Sequence, residues 1–287
     1  MAIRLIAAML FFMSLALPAA AQKTGVGAWE NPSYTMLRWI EETPALGWYY
    51  NWRPDQMYTK ARHRRSVEFV PMIHSAKDVN KPIRSDLPVR ALLAFNEPDG
   101  HGSMSVAQAV KLWPKLESRR LRLSSPATKR GNTLGPNSWQ RRFMNEVETR
   151  GLRVDFMAVH YYSTNGSVSE FRNWLHAVHA EYRRPIWVTE FAYIDWNAPA
   201  RTSYEKNAKF LVEAIRMMER LPFVERHAWF AANPYKWKGH QPRLNLVNHD
   251  LSPTPTGLAF DQALGAVGAR QISQNDTPTA VRTRVTR

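Results

Sequence analysis

Apolar residues recur along the chain in short β-rich runs, separated by longer segments whose apolar positions fall at helical spacing. The short runs predict strands over 26–29, 46–51, 67–73, 90–96, 121–124, 154–160, 186–190 and 226–230. Between them, apolar positions three and four apart predict helices over 139–150, 168–182 and 204–220. Ser105, with Gln108 three positions on, reads as a capping box opening another helix. Pro114 falls inside that helix and predicts a kink or break, because proline removes a ladder hydrogen bond and crowds the preceding turn. Strand then helix, repeated, predicts parallel pairing. Eight repeats predict closure into a single-domain α/β fold, the (β/α)8 barrel. The rival is an open doubly wound sheet, which usually carries a glycine-rich phosphate turn, and Gly25-Val26-Gly27 is too weak to serve as one.

The two ends of the chain depart from this pattern. Arg4 supplies a charged start, residues 5–17 are an apolar run, and Ala19-Ala20-Ala21 follows Pro18. That order predicts a signal peptide over 1–21, removed after Ala21, and a secreted or periplasmic protein. The apolar run is too short to span a bilayer and no later stretch is long enough, so no membrane anchor is expected. The barrel then occupies 22–266. From Val267 the pattern fades, and 271–287 is polar and charged, which predicts a disordered tail over 267–287.

Composition narrows the chemistry. There is no cysteine, which excludes disulfides and thiolate catalysis and leaves stability to one sizeable core. The formal charge of +15 admits nucleic acid, an anionic polysaccharide or an acidic envelope as partner. The basic residues are scattered, however, so a solvated surface is the better reading, and no nucleic-acid partner is expected. Arg62-His63-Arg64-Arg65 reads as an exposed helix end. His176 and His179 fall three apart on a helix without a third ligand, so no metal site and no cofactor are expected.

Barrel enzymes carry their chemistry where strands end in loops. The fourth predicted strand ends Phe95-Asn96-Glu97-Pro98-Asp99 and the seventh ends Val188-Thr189-Glu190-Phe191. A lone glutamate at a strand end is most often an exposed carboxylate. Two of them facing each other across a barrel mouth can divide acid and nucleophile roles.

Asn96-Glu97-Pro98 with a second glutamate on the seventh strand resembles clan A glycoside hydrolases. Tyr49-Tyr50-Asn51-Trp52, Phe69-Val70-Pro71-Met72, Ser125-Pro126-Ala127, the run from Asp155 to His160, the run from Pro185 to Ala192 and Ala228-Trp229-Phe230 narrow the likeness to glycoside hydrolase family 128. The resemblance runs from about Val26 to Phe260 and implies a β-1,3-glucanase. It implies Glu97 as general acid/base, Glu190 as nucleophile and Asn96 as the partner of the 2-hydroxyl of the attacked sugar. Near the end of the sixth strand the family pattern has tryptophan and glycine where this chain has Tyr161 and Ser163, which unsettles the subsites.

His160 closes the sixth strand and could orient the nucleophile, touch a sugar or serve structurally. Trp229 closes the eighth strand and is expected as a platform under a pyranose ring rather than a core plug. Tyr50, Asn51 and Trp52 at the second strand, and Tyr161 after His160, are further cleft candidates. The leading expectation is a monomeric, metal-free, retaining endo-β-1,3-glucanase acting on linear β-1,3-glucan. The rivals are another clan A β-glycanase acting on β-1,4-glucan or mannan, a non-hydrolytic carbohydrate-binding barrel, and a basic envelope-binding protein.

Overall fold

The alternation read from the sequence is the architecture the chain adopts. A computed structural model describes residues 22–58, 65–100 and 103–275. The expected signal peptide over 1–21 and residues 62–64 of the basic run lie outside the described residues. Eight strands follow in chain order: β1 (Thr24–Gly27), β2 (Trp48–Tyr50), β3 (Glu68–Phe69), β4 (Ala91–Leu92), β5 (Arg122–Leu123), β6 (Met157–Ser163), β7 (Ile186–Tyr193) and β8 (Val224–Phe230). Six α-helices accompany them: α1 (Met36–Glu42), α2 (Val106–Glu117), α3 (Trp139–Arg150), α4 (Val168–Tyr182), α5 (Tyr204–Glu219) and α6 (Pro255–Asn275).

All ladders are parallel, in a sheet ordered β3-β2-β1-β8-β7-β6 and a pair β4-β5. Backbone hydrogen bonds across the two gaps complete the ring. Leu93 N donates to Pro71 O and Ile73 N to Leu93 O, both at 2.9 Å, while Asp155 N donates to Leu123 O and Ser125 N to Phe156 O, both at 2.8 Å. The barrel therefore closes in chain order, as expected of this fold.

Strands β3, β4 and β5 are shorter than the runs 67–73, 90–96 and 121–124 predicted for them. Pro71 and Pro126 have no backbone donor to give the ladder. Side chains take over part of it: Ser124 Oγ accepts from Ala94 N at 2.8 Å, and Ser125 Oγ from Ala158 N at 3.1 Å. Every second strand position points into the barrel. There Trp48, Tyr50, Val70, Met72, Ala91, Leu93, Phe156, Trp187 and Ala228 form an inner core. Gly25 and Gly27 make room for it. A Cβ would stand 2.4 Å from the Trp48 ring at Gly25, and 2.6 Å from the Trp52 ring at Gly27.

Helices α2, α3, α4 and α5 begin at Ser105, Ser138, Ser167 and Ser203, each of whose side chains accepts the amide three residues on. Each such cap is worth about 1 kcal/mol. The break expected at Pro114 does not occur. Pro114 lies on the exposed side of α2, where a freed carbonyl can turn to water, and Trp113 and Leu116 bury the last turn. At the other end α6 continues past Val267 to Asn275, and residues 276–287 of the expected tail lie outside the described residues.

Candidate active site

Glu97 sits at the end of the β4 segment and Glu190 within β7, and both reach the same mouth of the barrel. Between them His160, on β6, points inward from the bottom of the cleft. Its Nδ1 lies 3.0 Å from Glu97 Oε1 and 3.5 Å from Glu190 Oε2. One atom from each of the three side chains falls within 4.8 Å of the others. Such a set offers donor atoms that could hold a metal ion.

Trp52 Nε1 donates to Glu190 Oε1 at 2.9 Å, Tyr50 OH lies 3.5 Å from the same oxygen, and Tyr162 OH donates to Oε2. An indole N–H can only donate, so the oxygen it touches presents a lone pair. The two phenols stay protonated, because burial first, and then the Glu190 charge, push both well above the ordinary tyrosine value; Tyr162 gives its hydrogen to Glu190, while Tyr50 gives its own to Thr189 O. Glu190 is thereby held as an oriented acceptor, with its side chain only 6% exposed against 26% for Glu97. The more open glutamate can meet a leaving group, and the enclosed one can meet an anomeric carbon.

His160 answers to both carboxylates. Burial works against its charged form, but the Glu190 charge, with the hydrogen bond and charge of Glu97, outweighs it and raises the pKa above the ordinary histidine value. Asn96 Oδ1 and His160 Nε2 are buried polar atoms with no hydrogen-bond partner among the described residues. Both Glu97 and Trp52 adopt left-handed backbone, with φ of 39° and 57°. For side chains of this size that conformation costs about 1–3 kcal/mol and persists only where the surroundings hold it.

An aromatic wall surrounds Glu190. Trp52 packs against Trp29 at 5.8 Å and Phe230 at 5.6 Å, and Tyr162 packs against Trp196 at 5.1 Å and Phe230 at 5.7 Å between ring centroids. Tyr235 joins it against Trp29 at 6.0 Å and Phe230 at 5.6 Å.

Of the residues singled out in the sequence, Glu97, Glu190, His160, Asn96 and Tyr50 converge here, Tyr50 as a buried support whose hydroxyl donates to Thr189 O at 2.8 Å. Three others do not line the cleft. Trp229 is fully buried, donates to Leu244 O at 2.8 Å and packs edge-on to Phe191, so it is a core plug rather than a platform. Tyr161 points outward and stacks on Phe171 of α4 at 4.0 Å. Asn51 is buried and shapes the turn, donating to Asp55 O at 2.8 Å and accepting from Arg53 N at 3.2 Å. The inward positions are the strand neighbours Phe230 and Tyr162. Strand alternation was the signal for both: residues two apart share a face, so His160 carries Tyr162 with it and Ala228 carries Phe230.

Known proteins share this frame. The family model described as glycosyl hydrolase catalytic core matches residues 27–260. A crystal structure of a glycoside hydrolase family 128 subgroup I endo-β-1,3-glucanase from Amycolatopsis mediterranei, in complex with laminarihexaose, is 32% identical; the match covers 84% of this chain and 99% of that one, with a TM-score of 0.69. A subgroup II endo-β-1,3-glucanase from Sorangium cellulosum is 25% identical over 84% of this chain and 98% of its own, with a TM-score of 0.67. Alkali-sensitive linkage protein 1 of Schizosaccharomyces pombe is 28% identical over 65% of this chain, a match that spans about a third (34%) of the length of that relative.

Proposed function

The chain belongs to the glycosyl hydrolase catalytic-core family and, within it, to glycoside hydrolase family 128; it is a glycoside hydrolase, and on that premise we propose that it is an endo-β-1,3-glucanase acting with retention. The observation that carries the mechanism is the closeness of Glu97 and Glu190, whose nearest oxygens and the His160 nitrogen lie within 4.8 Å of one another. Retaining glycosidases hold their carboxylates about 5–5.5 Å apart, whereas inverting ones leave about 6.5–9.5 Å for a water. In the first step Glu190 attacks the anomeric carbon, the bond to the leaving oxygen breaks, and Glu97 gives that oxygen its proton. In the second, Glu97 takes a proton from water, the water oxygen attacks the same carbon, and the ester to Glu190 breaks. Asn96, with its unpaired Oδ1, accepts from the 2-hydroxyl as charge develops on the ring.

The linkage rests on the family 128 relatives, and the endo mode on the subgroup I enzyme at 32% identity. The aromatic wall around Glu190 suits a neutral, curved polymer, since ring faces bury the CH patches of sugars without needing charge. No metal or cofactor enters either step, and the protein acts as a monomer. The leader over 1–21 places it outside the cytoplasm, and N-terminal sequencing of the exported protein should begin at Gln22.

The deciding experiment incubates the protein with laminarin, curdlan, carboxymethylcellulose and mannan, sizes the products and follows the first product by proton NMR. The expected result is mid-chain cleavage of the first two with the β-anomer appearing first. Faster cleavage of either of the last two would overturn the linkage, and an initial α-anomer would overturn retention.

A further inference from the structure

One segment touches the supports of both carboxylates. Residues 127–133 connect β5 toward α3 and fold into a 3₁₀ turn at Arg130–Asn132. On the Glu97 side, Ala127 O accepts from Glu97 N at 2.7 Å. Asp99, two residues beyond Glu97, accepts from Lys129 N at 3.2 and 3.3 Å through its two oxygens, and from Asn132 Nδ2 at 2.8 Å. Gly100 keeps the two segments close, because a Cβ there would stand 2.8 Å from Lys129 Cε. On the Glu190 side, Arg130 Nη1 donates to the carbonyl of Tyr162 at 3.4 Å, and its guanidinium lies 5.1 Å from the centre of the Tyr161 ring. Tyr162 is the residue whose hydroxyl donates to Glu190. The two ends of the segment are tied together by a buried pair, Thr128 Oγ1 with Thr133 Oγ1 at 3.1 Å, and the last residue is held by Tyr182 OH donating to Thr133 O.

We propose that residues 127–133 form a strap that fixes the separation of Glu97 and Glu190, with Asp99, which latches it to the Glu97 turn, and Arg130, which ties it to Tyr162, as positioning residues. The inference rests on the catalytic reading of the two glutamates. Glu97 sits at φ 39°, a conformation that its own residue type does not favour, so something outside it must hold the turn. The Asp99 latch and the Ala127 carbonyl help to do so, beside Gly100 N donating to Glu97 O at 2.8 Å. A retaining pair tolerates little displacement, and a misplacement of about 1 Å can cost about 10²-fold in rate.

The two attachments act on different groups, and this separates positioning from loss of fold. An acid is needed to expel a sugar hydroxyl but hardly to expel dinitrophenolate. A nucleophile is needed for both. The test measures kcat/KM of Asp99→Ala and Arg130→Ala on laminaripentaose and on 2,4-dinitrophenyl β-laminaribioside, with Glu97→Gln alongside. Asp99→Ala should lose about 10- to 100-fold on the oligosaccharide and about threefold or less on the activated substrate. Arg130→Ala should lose about tenfold on both. If Asp99→Ala fails to fold by circular dichroism, Asp99→Asn, which keeps a carbonyl to accept from Lys129, should show the same imbalance to a smaller degree. Equal losses on the two substrates for the Asp99 variants, or no loss, would overturn the strap while Glu97→Gln still shows the imbalance. If Glu97→Gln itself shows no imbalance, the catalytic reading fails instead.

Discussion

The two ends of the barrel interior treat charge in opposite ways. At the base Arg226 lies between the rings of Trp187 and Trp48, 4.4 and 5.6 Å from their centroids, and its Nη2 is 2.6 Å from Glu68 Oε2. Glu225 accepts from Trp187 Nε1 at 2.9 Å and pairs with Arg122 at 2.9 Å, whose guanidinium lies over Phe156. Each charge there meets its opposite. At the mouth two carboxylates share the space with one histidine and a set of neutral donors, and no arginine or lysine pairs with Glu190 among the described residues. Like charges held close in a poorly solvated site cost free energy. A fold that pairs the charges at its base and surrounds the mouth carboxylates with neutral donors leaves the two glutamates able to take different roles.

The sharpest way to break the comparison is to remove one mouth carboxylate. Glu190→Gln and Glu97→Gln should each lose about 10³-fold or more in turnover, about 4 kcal/mol in barrier. A variant keeping a tenth of the activity contradicts this. Trp229 and Phe230 sharpen it next. Trp229→Ala should cost about 3–5 kcal/mol of stability and leave KM unchanged, as a core plug does. A raised KM with unchanged urea midpoint would return Trp229 to the cleft, and Phe230→Ala is the variant expected to raise KM.

At the base, Arg226→Met should strand Glu68 and cost about 3 kcal/mol in urea denaturation, with kcat per folded molecule unchanged. Back at the mouth, Trp52→Phe keeps the ring but removes the donor to Glu190. It should lower kcat by about 10- to 100-fold, the worth of a hydrogen bond to a charged group at about 1.4–2.7 kcal/mol. The smallest effect is in pH. His160 has a raised pKa in the fold, so its stabilisation is complete below its unfolded value near 6.5 and fades as pH climbs through the higher folded value. Denaturation at about pH 6 and about pH 9 should show a loss that Glu97→Gln diminishes. An identical loss in that variant would detach His160 from the pair.

Much of this was legible in the sequence, for identifiable reasons. Parallel strands buried on both faces are continuous apolar runs, and all eight strands of the described residues fall within or overlap theirs. Glu97 and Glu190 stand out because a charge at the end of such a run has nowhere to go but the mouth. Two of the cleft candidates, Trp229 and Tyr161, stand one position away from the inward-facing Phe230 and Tyr162. Trp229 and Tyr161 are larger or nearer to the motif than Phe230 and Tyr162, but a one-residue step moves a side chain to the other face of the sheet. The role of Gly25 and Gly27 was not legible, since the Trp48 and Trp52 rings they admit come from another strand and its following turn. Nor was the strap, whose ends join residues 30 or more apart along the chain.

The central claim is that the two close glutamates at the mouth are nucleophile and acid, with Glu190 as the nucleophile. Its most direct test is to incubate the protein with a 2-deoxy-2-fluoro-β-laminaribiosyl fluoride, which slows release of a covalent intermediate, and to map the adduct by peptide mass spectrometry. A single adduct of the fluorinated disaccharide on Glu190 is the predicted result. An adduct on another residue, or continued turnover of the reagent with none, would contradict it.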